Sequence, residues 1–385
     1  MRSKKQIAIG AILSILLIIS MMPTTYADDW YGQYGQHFKV YDVRNNELIF
    51  ETAREVSKGD QYISNDNKMY EVIRVNTNNM TAYAEFKKDI ELPVIDKVAM
   101  EEFLSFIRSN EGLAALMAQE EERSVGIYTT HSAESYVPTD GSESIEEGGG
   151  IKKVAQRLSE EFGNFGVNGV FDDTNHIPHD AGAYKRSRRT AVQLLQQHQP
   201  NALFDIHRDA IPAEAYNTEL NGEPASMVRI VIGRRNQNFA ANEETAQKIK
   251  AVGDEMHPGL IKDIFYAKGD YNQDISPRAL LFEMGTYEQE RERPERATGP
   301  LAEVLTTVVF GGTFEDKETG EEKEVQPQDE SNTGSGLGIA GLLAVIGGGG
   351  LAFLFLSSGG KEWKSKISNF KDEFNSFLGR RRKRK

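Results

Sequence analysis

Residues 202–209 read ALFDIHRD: an apolar run interrupted only by Asp205 ends on His207, Arg208 and Asp209. A short apolar run of this length reads as a buried strand. Two other runs share its form. Residues 125–129, VGIYT, lead through Thr130 to His131 and Glu134, and residues 279–282, ALLF, run straight into Glu283. Amphipathic helical patterns fall at 151–162, 184–198 and 240–256, further short strands at 170–171 and 227–232, and a closing helix at 300–309. Strands separated by helices of this length predict an α/β unit with a largely parallel sheet. Ligands of such sheets bind outside the carboxyl ends of the strands, so the three strand ends are expected to meet on one rim.

The residue types on that rim suggest a chemistry. Two histidines and a carboxylate form a three-ligand set for catalytic zinc, and a further carboxylate can take the proton from a water whose pKa the metal lowers to about 7. Each residue also has a plainer reading. His131 and His207 fit as hydrogen-bonded structural groups, and Glu134 fits as a helix cap. Glu283, after a buried strand, is harder to place without a partner. His176 and His179, in NHIPHD, compete as ligands, although the proline between them favours a loop over a helical pair. His37 and His257 have no comparable setting and read as structural. The cluster Lys185, Arg186, Arg188 and Arg189 opens a helix; arginine forks suit a substrate carboxylate, with a solvated helix face as the alternative. Arg208, beside His207, is a candidate donor to a developing oxyanion.

The remaining sequence sets the boundaries. The chain has 385 residues, no cysteine and a net charge of −13. The acidity argues against a nucleic-acid partner, and the missing cysteines exclude disulfides, thiolate metal sites and cysteine nucleophiles. Residues 1–27 combine a basic start, an apolar run and a small-residue cleavage site, and read as a signal peptide. Residues 28–96 alternate β-like runs with NN, GD and NTNN turns, which predicts a small β-rich domain. A helical connector at 97–122 leads to the α/β unit at 123–312. Residues 313–336 form an acidic, apolar-poor spacer expected to be disordered. Residues 337–356 are uncharged and long enough to span a membrane, and the 357–385 tail ends in RRRKRK. The positive-inside rule then places the tail in the cytoplasm and the acidic body outside a cell membrane crossed once.

THSAESY at 130–136, HDAGAYKRSR at 179–188, FDIHRDA at 204–210 and LFEMGT at 281–286 together resemble the stage II sporulation protein P family. The resemblance covers residues 125–310 and implies a zinc-dependent N-acetylmuramoyl-L-alanine amidase, which cuts the amide between muramic acid and the stem peptide of peptidoglycan, with peptide cross-links as a second target. It implies His131, His207 and Glu134 as zinc ligands, Glu160 or Glu161 being the alternative to Glu134, and Glu283 as general base. Arg186 or Arg188 would hold a stem-peptide carboxylate. The fold expected is α/β, a mostly parallel sheet flanked by helices as in zinc amidases, preceded by a small β-rich domain and followed by a transmembrane helix. Family members usually carry an N-terminal anchor, so the predicted C-terminal span departs from the pattern. Sporulation, with partner wall hydrolases in a complex, is one setting for this chemistry. The rival readings are a non-catalytic peptidoglycan-binding scaffold that positions other wall enzymes, and an interaction protein worked by the β domain and basic tail.

Overall fold

The computed structural model describes residues 36–117, 123–180, 182–311, 314–315 and 322–323. Chain order begins with strands β1 (Phe38–Asp42), β2 (Leu48–Thr52), β3 (Gln61–Ile63), β4 (Lys68–Asn76) and β5 (Thr81–Asp89), then helices α1 (Lys97–Ile107) and α2 (Asn110–Met117). The α/β part follows as β6 (Ser124–Tyr128), α3 (Ile151–Phe162), β7 (Asn168–Phe171), α4 (Ala183–His198), β8 (Ala202–Asp209), the hairpin β9 (Asn217–Leu220) and β10 (Glu223–Ser226), and β11 (Val228–Gly233). It closes with α5 (Phe239–Met256), β12 (Ile261–Ala267), β13 (Ala279–Thr286) and α6 (Glu292–Thr306).

Eleven strands form one sheet in the order β2-β1-β5-β4-β3-β12-β11-β13-β8-β6-β7. From β12 to β7 the pairing is parallel except between β11 and β13, close to the expected parallel sheet. The β-rich stretch read from sequence as a separate domain is instead part of the same sheet. Strand β3 pairs antiparallel with β12, and from there β4, β5, β1 and β2 extend the order. The physical reason is that β12 has an apolar face to cover: Phe265 lies 5.2 Å from the Phe50 ring, which stacks on Tyr62 at 4.2 Å.

The period of two along each strand assigns the faces. In β8, Phe204 and Ile206 enter the core shared with Val154, Leu158 and Phe162 of α3 and Leu301 and Leu305 of α6. Leu203 turns the other way, against Ala191 and Leu194 of α4. Asp205 and His207 therefore belong to the α4 face. In β13, Leu280 and Phe282 join the α3 and α6 side, while Leu281 packs among the N-terminal strands with Phe38 and Phe50. Glu283 follows Leu281 by two residues and shares its face.

Several expectations shift. The closing helix begins at Glu292, eight residues before Pro300, which lies inside it. Phe314, in the expected spacer, is buried and bridges Ile95. Among the described residues no helix is long and apolar enough to cross a membrane. The predicted signal peptide, span 337–356 and basic tail lie outside the described residues.

Candidate active site

Strand β6 ends at Tyr128, and Thr129 and Thr130 carry the chain over the end of the sheet to His131. Asp205 holds that turn, accepting from Thr130 N at 2.8 Å and Thr130 Oγ1 at 2.6 Å. On β8, His207 faces the same space. The Nδ1 atoms of His131 and His207 lie 3.1 Å apart, and Glu134 reaches them at 3.5 and 3.7 Å. One ligand atom from each of the three falls within 4.8 Å of the others, and all three residues are buried. Around the back of His207, Nε2 lies 3.1 Å from Asp205 Oδ1, an ion-pair distance whose angle falls short of a hydrogen bond.

Glu134 is set by backbone. Arg208 N donates to its Oε2 at 3.0 Å, and Ile151 N, at the start of α3, donates to its carbonyl at 3.0 Å. This close seating needs the glycines at 148–150: a Cβ on Gly149 would stand 1.9 Å from the Glu134 carbonyl oxygen. Glu160 and Glu161 do not belong to this cluster. Glu160 accepts from Gln156, and Glu161 pairs with Arg157 at 2.6 Å and accepts from Asn164.

Glu283 is the register partner of His207 on the neighbouring strand. Pairing becomes irregular directly after it, where Gly285 adopts φ 76°, a left-handed conformation that favours glycine. The Glu283 Oε1 accepts from Arg54 Nε at 2.7 Å, while Oε2 is buried with no hydrogen-bond partner among the described residues.

Electrostatics separate these groups. Burial lowers His131 to about 3. Burial also acts to lower His207, but the Asp205 and Glu134 carboxylates overcome it and raise the imidazole to about 10. Glu134 is held well below the usual carboxylate range, because His207 and His131 outweigh the effect of burial. Glu283 moves the opposite way, pushed up by burial against the pull of Arg54. Two carboxylates on one rim thus have opposite proton affinities.

The competing histidines take different places. His176 lies in the interior, its Nδ1 2.8 Å from the Thr129 carbonyl and its Nε2 2.8 Å from Thr190 Oγ1. His179 stacks on His131 with ring centroids 4.6 Å apart, its Nε2 4.0 Å from Glu134. The three arginines expected to meet substrate are engaged within the protein. Arg186 donates to the carbonyls of His176 and Pro178 and to Asp180, and Arg188 forms a fork with Asp274, both bonds 2.6 Å. Arg208 donates to the carbonyls of Ser135 and Glu143 at 3.1 and 2.8 Å and so holds the Glu134 loop. Each of the three guanidinium groups is thus paired inside the protein. Arg54, Tyr184 and Asp205, none singled out from sequence, complete the surroundings. Asp205 stood within the quoted strand as a charge among apolar residues, which was a usable signal; Arg54 carried none.

A family model described as stage II sporulation protein P (SpoIIP) matches residues 35–306. The chain belongs to the SpoIIP family. The match takes in the N-terminal strands as well as the α/β part, in keeping with their shared sheet. A stage II sporulation protein P of Bacillus subtilis (strain 168) is 25% identical over 222 residues, which are 53% of this chain and 55% of that protein. The chain thus spans about half the length of that curated relative. Among solved structures, an N-acetylmuramoyl-L-alanine amidase from Clostridium difficile 630 aligns with a TM-score of 0.31 and 17% identity, over 49% of this SpoIIP chain and 95% of its own. The CwlD amidase from Clostridioides difficile, solved in complex with the GerS lipoprotein, aligns with a TM-score of 0.34 and 11% identity, over 49% and 98%.

Proposed function

We propose that this SpoIIP-family chain is a zinc-dependent peptidoglycan hydrolase of the N-acetylmuramoyl-L-alanine amidase type, with peptide cross-links as a second target. The observation that carries the reading is the buried convergence of His131, Glu134 and His207 beside Glu283. The donor set fits zinc: two imidazoles and one carboxylate, with Asp205 against the second nitrogen of His207 as an orienting carboxylate. Bound there, zinc supplies Lewis-acid polarisation of a carbonyl and a water that ionises near neutral pH.

The protein's own groups do the rest. Glu283 Oε2 accepts the proton of the attacking water as its oxygen bonds to the lactyl amide carbon. The same carboxyl returns that proton to the stem-peptide nitrogen as the C–N bond breaks, leaving a carboxylic acid on the muramic acid side and a free amine on the peptide. Membership of the SpoIIP family supports a wall substrate and a sporulation setting with partner wall hydrolases. The proposed placement is a cell-membrane protein with its body outside. The uncharged run at 337–356 and the basic residues after it support that placement.

The test is metal content and muropeptide release measured together on the purified full chain with isolated walls. About one zinc per chain with free stem peptides is the expected result. Zinc-loaded protein that releases none would overturn the hydrolase and favour the scaffold reading.

A further inference from the structure

We propose that Arg54, contributed by the N-terminal strands, is a positioning residue for Glu283, so that these strands are part of the active site. The inference rests on the hydrolase reading of the site.

Around the end of β2, at Thr52, the chain is pinned to the α/β part at two points. Arg229 Nη1 donates to the Glu51 carbonyl at 2.9 Å, and Ala53 N donates to Asp209 Oδ1 at 3.0 Å. Asp209 lies on β8, two residues beyond His207. The next residue, Arg54, is only 8% exposed, and its backbone N–H is taken by Thr52 Oγ1 at 3.2 Å. From this fixed base its guanidinium donates through Nε to Glu283 Oε1 at 2.7 Å and through Nη1 to the Tyr184 hydroxyl at 3.2 Å. Its far side lies over the Tyr271 ring, 5.1 Å from the centroid.

The result is an asymmetric carboxylate. One oxygen is held by the Arg54 guanidinium, and the other is buried without a hydrogen-bond partner among the described residues. A guanidinium suits this task because its planar fork fixes direction as well as charge. If the base has only one working oxygen, the angle of its carboxyl plane decides whether that oxygen reaches the water. A misplacement of about 1 Å costs about 100-fold in rate.

A merely structural Arg54 would neutralise a buried acid and nothing more, so the experiment separates stability from turnover in the full chain. Arg54→Ala is expected to keep its zinc and lower kcat by about 10–100-fold with KM within about twofold, since positioning is lost and substrate contact is not. Millimolar guanidinium should restore part of that kcat. Arg54→Lys keeps the charge without the fork and should show reduced kcat at unchanged KM; if Arg54→Ala does not fold, this variant decides. On a Glu283→Gln background, Arg54→Ala should cost nothing further. Independently of activity, the Arg54 Nε–H proton, followed in arginine-labelled protein by NMR, should be protected from exchange in the wild type and lose protection in Glu283→Ala. Wild-type kcat in Arg54→Lys, or a loss that tracks melting temperature and resists guanidinium, would overturn the role. A wild type that cleaves no wall overturns the hydrolase reading and the role with it, whereas an active wild type beside an equally active Arg54→Ala overturns Arg54 alone.

Discussion

His207 and Glu283 are Cα partners on adjacent parallel strands, β8 and β13. Strand pairing, with no loop between them, therefore fixes the distance from the proposed ligand to the proposed base. A change confined to the Glu283 head group should leave the ligands in place.

Glu283→Gln should accordingly keep the wild-type metal content and lower stem-peptide release by about 100-fold or more, the range for loss of a general base. Metal analysis and muropeptide release on one preparation check both halves. Substantial cleavage by this variant would remove Glu283 from the role.

Asp205 reaches both His207 and Thr130, so it orients one imidazole and the turn that carries the other. Asp205→Asn is expected to weaken zinc binding by about 10–100-fold while the fold persists, as for other outer-shell carboxylates. Competition with a chelator, followed by circular dichroism, measures both. His131→Ala and His207→Ala should lose the metal outright.

Arg229 is fully buried and joins Asp263, at 2.6 Å, to Asp209, at 2.9 Å. Removing one partner strands a buried charge, so Arg229→Ala should cost about 3–5 kcal/mol in denaturant unfolding. The same group predicts acid sensitivity. Burial acts to raise Asp263, but Arg229 and Lys262 override it and bring the carboxyl down to about 2. A carboxyl depressed on folding contributes stability above its unfolded value, near 3.9, and loses that contribution as pH falls through the folded one. The protein should therefore lose about 2–3 kcal/mol from this residue, progressively between about pH 5 and pH 1. Asp263→Asn should flatten that part of the stability curve.

Gly149→Ala places a methyl group on the Glu134 carbonyl, a clash with backbone that no side-chain rotation relieves. Both melting temperature and zinc affinity should fall, with Gly163→Ala, where a Cβ meets nothing within 4 Å, as the neutral control.

Legibility in the sequence followed local pattern. Helix α3 coincides with its apolar period because Val154, Ala155, Leu158 and Phe162 are all buried. The strands ending near His131, His207 and Glu283 were visible as short apolar runs, with Asp205 the single charge ahead of the strand ends. Strand β12 was not, since Lys262 and Asp263 interrupt it, and Asp263 is tolerated inside because Arg229, distant in sequence, and Lys262 neutralise it. The β9–β10 hairpin turns at Asn221-Gly222, a pair whose positive φ values suit a two-residue hairpin turn. Arg54 meets Glu283 across 229 residues, and no spacing rule extends that far.

The pairing of β3 with β12 limits how the chain can be cut. A fragment beginning after residue 96 would bare the β12 edge and the aromatic face around Phe265, a template for association with other chains. The strands would then act as a built-in chaperone for the rest, and halves produced separately should regain a soluble form only when refolded together.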